Sequence, residues 1–216
     1  MIVSPIKTIR IIGNNINIIA PIIKAGDNIE DIVVNTILKA SEEEGIELKD
    51  RDVIAITESV VARAQNNYAT VDEIAIDIYE KIPDREFGVI FPILSRNRFA
   101  ICLKSMARAA NKIYLMLSYP GDEVGNKLIN NIESLQLEHN SSHMFTEQEW
   151  IDKFGMQTHP FTGVNYIQYY KDIILSENCE VEIILSNDPT TILKYTKNVI
   201  TCDIHTREYT KQLLKE

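Results

Sequence analysis

The sequence predicts an α/β protein, a mixed layered sheet with a β-rich start at the N-terminus and alternating strand–helix units later. Two observations carry that prediction. Lys7–Ile12 and Asn15–Ile22 are Ile-rich runs separated by Gly13-Asn14, a turn signal between two strands. From Phe87 onward, apolar runs of strand length alternate with stretches of helical periodicity, which is the order expected of a sheet with at least some parallel strands.

After the first two strands, Pro21 leads into a Gly26-Asp27 corner. Asp27, with Glu30 three residues on, reads as the N-terminal cap of a helix that stops at Gly45. Ile29, Ile32, Val33, Thr36, Ile37 and Ala40 give that helix one apolar stripe. Asp52–Thr57 reads as a short buried strand running into a helix that starts near Glu58. Thr70 and Glu73 form a capping box ahead of Ile74, Ile78 and Ile82. Phe87–Phe91 is then a strand, Ser95–Ala110 a helix and Lys112–Ser118 a strand, with a turn at Tyr119-Pro120-Gly121-Asp122. Thr146, with Glu149 in the box position, caps a helix through Phe154. His159-Pro160 reads as a turn, and Thr162–Glu177 as a helix whose Tyr166, Tyr169 and Tyr170 pack in the core. Glu180–Leu185 is a strand, Asp188-Pro189 a cap and first helical turn, Val199–Ile204 a strand and Thr206–Glu216 a helix. The polar, aperiodic stretch 130–142 marks the best internal boundary. It gives a first domain over 1–129, a loop or insertion over 130–145 and an α/β segment over 146–216.

Composition narrows the function classes. The 216 residues carry 22 Lys+Arg against 31 Asp+Glu, a net charge of −9, and 45% hydrophobic residues, enough for a packed core. An acidic chain is poorly suited to nucleic-acid backbones, and no apolar run reaches the roughly 20 residues of a membrane-spanning helix. The 3 cysteines, Cys102, Cys179 and Cys202, form no CxxC pair, which argues against a disulfide framework or a thiolate zinc site and fits a reducing cytoplasm. There is no GxGxxG, GxSxG or HExxH. Gly121-Asp-Glu-Val-Gly125-Asn-Lys127 has the wrong spacing for a Walker loop.

Three constellations could carry chemistry. In Thr57-Glu58-Ser59-Val60-Val61-Ala62-Arg63, a strand end turning into a helix presents hydroxyls and free N–H groups. Ser59 and Arg63, four apart, share a helix face on which both could meet a phosphate. The same letters also fit a helix cap and a solvated arginine. Between Ser95 and Lys112 stand five basic residues (Arg96, Arg98, Lys104, Arg108, Lys112) and no acidic one. Arg96 and Arg98 fall in the first helical turn, where the dipole disfavours cations unless an anion lies nearby. Ser95, Arg96, Arg98 and Arg108 are therefore candidate anion-binding residues, and a solvated basic face is the alternative. Asp203 and His205, at i and i+2 in an extended chain, would point the same way, as metal ligands or an acid/base pair do. A capping Asp and a surface histidine explain the same letters, and a DxH alone is a weak pattern.

The segments Ala20-Pro21-Ile22-Ile23-Lys24-Ala25-Gly26-Asp27-Asn28, Asp52-Val-Ile-Ala-Ile56 and Val60-Val61-Ala62-Arg63-Ala64-Gln65 resemble the coenzyme F-420 gamma-glutamyl ligase family. The stretches Gly88–Leu103, Leu115–Asn126, His159–Tyr166 and Tyr195–Arg207 are similar to a bacterial branch of it. The resemblance implies GTP-dependent amide formation between a deazaflavin phosphodiester and L-glutamate, with Mg or Mn. It implies a carboxylate activated as an acyl phosphate and then attacked by the glutamate amine. Carried over by position, the nucleotide-contacting loop falls on Ile19, Ala20, Pro21 and Ile22, the polar pair on Glu58 and Ser59, and the phosphate-contacting lysine on Arg63. Two positions depart from the family. Glu58 places a carboxylate near a triphosphate, and Met106 or Ala107 stands where a metal-binding Asp is expected. A non-catalytic nucleotide- or phosphometabolite-binding module without the metal centre is the competing reading. A cytoplasmic homodimer acting on small molecules, with neither nucleic acid nor membrane as partner, is expected. The resemblance further implies a polypeptide continuing beyond Glu216, into a part that holds the metal carboxylates.

Overall fold

The structure, a computed structural model, describes residues 9–12, 15–129, 143–159 and 161–215. The expected turn at Gly13-Asn14, the polar stretch 130–142 and Pro160 lie outside these residues. The chain forms two compact units, Met1–Ala69 and Thr70–Glu216. The division therefore falls between Ala69 and Thr70, and the main sheet draws its strands from both sides of residues 130–142.

In the first unit, β1 (Ile9–Ile12) and β2 (Asn15–Ile18) pair antiparallel, with Ile9 opposite Ile18. Helix α1 (Ile29–Glu44) is capped one residue later than the sequence suggests. Asn28 accepts the amides of Glu30 and Asp31, while the Asp27 carboxylate is turned back onto the amide of Lys24 at 2.6 Å. The helix ends where the sequence places its stop, at Gly45, whose φ of 65° is left-handed. Helix α2 spans Glu58–Ala64. Asp52–Thr57, expected as a buried strand, is exposed and unpaired among the described residues, with Val53 90% exposed. A strand is completed by its ladder partner, and apolar letters alone do not provide one.

The second unit opens with α3 (Val71–Lys81), held by the expected Thr70–Glu73 capping box. A five-stranded sheet follows in the order β5-β6-β4-β3-β7, built from β3 (Glu86–Ile90), β4 (Lys112–Leu117), β5 (Met144–Thr146), β6 (Glu180–Ser186) and β7 (Val199–Thr201). All neighbours are parallel except the edge pair β5–β6. Period-2 alternation divides the strand side chains between two faces. Phe87, Val89, Ile113, Leu115, Leu117, Ile183 and Leu185 pack beneath α3, α4 (Phe99–Ala109), α5 (Glu147–Phe154) and α6 (Tyr166–Ser176). Ile90, Tyr114, Met116 and Ile184 meet Ile192 of the 3₁₀ turn Pro189–Lys194, and Leu214 just after α7 (Arg207–Leu213). With both faces covered, β4 is a continuous apolar run, as parallel strands are. Gly88 lies on the second face, and its missing side chain leaves room for Ile192, whose Cγ1 would stand 2.5 Å from an added Cβ.

Several boundaries move, and β2 stops at Ile18, not Ile22. Helix α4 begins at Phe99, not Ser95; α6 begins at Tyr166 behind an Asn165 cap, not at Thr162; β7 stops at Thr201, not Ile204. Strand β7 ends where its partner does. Thr201 pairs with Ile90, and after the Cys202 amide donates to the Ile90 carbonyl the ladder has nothing left to extend along.

Candidate functional site

Strands β6, β4, β3 and β7 all run the same way, so their C-terminal ends and following loops share one edge of the sheet. Strands β3 and β7 are neighbours, yet β3 leads into α4 on one face while β7 leads into α7 on the other. Beyond the strand ends at such a reversal is the place where open α/β sheets bind ligands.

The loop after β3 is held from several sides. Phe91 is left-handed at φ 54°, a conformation costing a bulky residue about 1–3 kcal/mol, and its amide is fixed by the Met116 carbonyl at 3.0 Å. The Leu94 amide donates to Asp122 Oδ2 at 2.7 Å. The buried Tyr170 hydroxyl donates to the Ile93 carbonyl at 2.7 Å and accepts the Ser95 amide at 2.8 Å. Burial pushes that phenol well above its usual range, so it stays neutral and can do both. These anchors delay α4, and 95–98 becomes a turn in which Ser95 Oγ accepts the Arg98 amide. Arg96 and Arg98 are exposed there and form no ion pair among the described residues.

The loop after β4 begins with a cis Tyr119-Pro120 bond. Asn187, beyond β6, grips Tyr119 twice, accepting its amide at 2.9 Å and donating to its carbonyl at 2.8 Å. Glu123 accepts the amides of Ile204 and His205 from the segment after β7.

Asp203 and His205 do not form the side-by-side pair expected of an extended chain. Residues 204–206 bend, the Asp203 carboxylate turns inward onto the hydroxyls of Thr206 (2.7 Å) and Thr210 (2.8 Å), and His205 is exposed. The second oxygen of Asp203 is buried without a partner among the described residues. Arg108 lies at the opposite end of α4 from Arg98, roughly 15 Å along the helix axis. Its guanidinium is taken by Glu177 at 2.8 Å and Asp72 at 2.5 Å, bonds that raise its already high pKa, the Glu177 bond most. Lys104 also reaches Glu177, and Lys112 sits on β4 beside Glu182, so the basic run is not one stripe.

The other candidates lie in the first unit. Ile19, Ala20, Pro21 and Ile22 form an exposed segment after β2, and the chain just beyond is tied to α2 by the Gly26 amide donating to the Ala64 carbonyl at 2.9 Å. Glu58 and Ser59 occupy the first turn of α2 and Arg63 its last, all three exposed. Ser59 Oγ lies 3.4 Å from the Thr57 hydroxyl.

A family model described as F420-0:Gamma-glutamyl ligase matches residues 17–194. The chain belongs to that family. No curated protein and no solved structure matched it. The F420-0:gamma-glutamyl ligase match takes in Ile19–Ile22, Arg63, the 95–98 turn, Asp122, Glu123 and Tyr170, while Asp203 and His205 lie past its end.

The divalent metal implied by the family resemblance finds no fitting set of ligands among the described residues. No group of three or more His, Cys, Asp or Glu is arranged to hold one. The helical positions where an Asp is expected, Met106 and Ala107, are packed into the core at 8% and 0% exposure. Asp122 is committed to hydrogen bonds within the chain.

Sequence reading missed Asp122, Glu123, Asn187 and Tyr170 as site-shaping residues. Asp122 and Glu123 stand in the sequence as turn chemistry, as a mis-spaced Walker loop and within the branch segment Leu115–Asn126, none of which shows a tie to a distant loop, and Tyr170 only as part of an aromatic stripe. Their partners lie 28 to 82 residues away.

Proposed function

We propose that this F420-0:gamma-glutamyl ligase family member uses GTP to form a gamma-glutamyl amide on a phosphorylated small molecule. In this reading the backbone of Ile19–Ile22, with Glu58, Ser59 and Arg63, contacts the nucleotide, and Ser95, Arg96 and Arg98 hold an anionic group at the sheet edge. A carboxylate oxygen of the acceptor takes the γ-phosphoryl group of GTP and GDP leaves. The glutamate amine then attacks the acyl carbon, inorganic phosphate departs and the amine loses a proton. Guanidinium groups suit such chemistry because charge on transferring phosphoryl oxygens is stabilised by cationic donors. The observation that carries the reading is the pair of exposed arginines, free of ion pairs among the described residues, at the β3–β7 switch point of a chain in this family.

Titration of GTP and ATP, with Mg²⁺ or Mn²⁺, against wild type and Arg63→Ala tests the nucleotide site. Weaker GTP binding by the variant is expected. Equal affinity in both proteins, or none in either, would overturn the assignment. Glutamate-dependent GTP consumption with an amide product tests the chemistry. The same reading takes the protein to act in the cytoplasm as a homodimer, and sedimentation equilibrium checks the dimer.

The buried Met106 and Ala107 favour a second reading, a module that binds the nucleotide or phosphometabolite without turning it over. GTP binding with no product in the presence of glutamate and acceptor would select it.

A further inference from the structure

Asp122 and Glu123 are consecutive, and each reaches a different loop. Asp122 Oδ2 accepts the Leu94 amide at 2.7 Å and Asn126 Nδ2 at 2.8 Å, while Oδ1 accepts the amides of Asn126 at 2.7 Å and Val124 at 3.2 Å. A carboxylate has about four lone-pair positions, so these four donors occupy them all. Three of the four donors are backbone amides, so the Asp122 carboxylate is turned mainly to holding loop backbone. Glu123, although exposed, spends its carboxylate on the amides of Ile204 and His205. The two acids thus join the loop after β4 to the loops after β3 and β7, the two strands that flank the switch point. The bracket is itself braced. Gly121 pairs with Lys127, and the Asp122 amide donates to the Asn126 carbonyl at 2.8 Å.

Without such ties these loops would have to be ordered whenever a ligand bound. Ordering loose backbone costs conformational entropy, so two loosened loops would weaken binding measurably. We propose that Asp122 and Glu123 are positioning residues that hold the Arg96/Arg98 turn in its binding arrangement before the ligand arrives, Asp122 directly and Glu123 by bracing the same loop against the 203–206 bend. This rests on the reading of Arg96 and Arg98 as anion-binding residues.

The test uses the full chain, inorganic phosphate as probe, calorimetry for affinity and amide hydrogen exchange in the ligand-free protein. Arg96→Ala/Arg98→Ala examines the anion reading alone, and unchanged affinity there defeats that reading. Glu123→Ala is expected to speed exchange at Ile204 and His205 and to weaken phosphate about tenfold, the cost of re-ordering about one residue of backbone. Glu123→Gln keeps an acceptor oxygen and is expected to restore most of the affinity. Asp122→Asn is expected to speed exchange at Leu94 with a similar loss of affinity. A role confined to stability would lower the melting temperature and leave phosphate affinity, measured well below it, at the wild-type value. That result, in a protein whose arginine variant has lost affinity, overturns the positioning role. So does unchanged exchange at Leu94, Ile204 and His205 in the acid variants.

Discussion

The amide of Ser95 donates to the hydroxyl of Tyr170, 75 residues further along the chain, at 2.8 Å. The same hydroxyl donates to the Ile93 carbonyl, so one oxygen fixes the start of the turn that displays Arg96 and Arg98. Tyr170→Phe keeps the ring contacts with Phe99 and Tyr166 but strands a carbonyl and an amide. A loss of about 1–3 kcal/mol in urea denaturation is expected, with weaker phosphate binding measured alongside. A variant as stable as wild type would show that other groups satisfy both backbone atoms.

Gly121→Ala is expected to disturb the site more than its place in a surface loop suggests. An added Cβ would stand 2.3 Å from the Asn126 carbonyl oxygen and 3.0 Å from Lys127 Cα, backbone atoms that cannot swing aside. The 121–127 bridge would open and carry Asp122 away from Leu94. Faster amide exchange at Leu94, with a stability loss of about 1–3 kcal/mol from overpacking, is the expected outcome.

Acid should weaken the second unit through Glu177. Hydrogen bonding from Arg108, and secondarily from Lys104, lowers the Glu177 pKa. The unfolded chain therefore takes up this proton at a higher pH than the folded chain does. The stabilisation is present above the unfolded value of about 4.3 and is lost as pH falls through the lowered folded value. Urea midpoints measured down to pH 3 should fall for wild type and be flatter for Glu177→Gln. Parallel curves would remove Glu177 from the account.

The three thiols should separate in alkylation. Burial pushes Cys179 up to about 11 and Cys202 up to about 12, leaving both protonated near neutrality, whereas Cys102 is exposed on α4. Thiolate is the reactive form, so iodoacetamide at pH 8 should label Cys102 first. Peptide mass mapping reads the order, and initial labelling of Cys202 would contradict the packing around β7.

Much of the local structure is legible in the sequence because a few neighbouring residues decide it. The Thr70–Glu73 and Thr146–Glu149 boxes form as read, each threonine accepting the N3 amide and each glutamate reaching back. Gly45 stops α1, and the apolar runs of β3, β4 and β6 become strands. Site residues are legible in part. The basic pair Arg96 and Arg98 stands out in the sequence, but the structure places it in a turn ahead of α4, not in the first helical turn as read. Arg108 looks the same in the sequence, but it is occupied by Glu177, 69 residues away.

By itself the sequence determined the α/β class, the caps and stops of helices, and the resemblance to a ligase family. These depend on periodicity, turn chemistry and motif letters within short windows. Only the tertiary structure decided that β7 lies beside β3, that β7 ends at Thr201 so that Asp203 turns inward, and that Asp52–Thr57 has no ladder among the described residues. Only there, too, did Asp122, Glu123 and Tyr170 take hold of distant loops. Strand order and loop contacts depend on which remote segments meet, because a backbone amide or a carboxylate is satisfied by whatever partner the fold delivers, and that partner leaves no mark on the neighbouring letters.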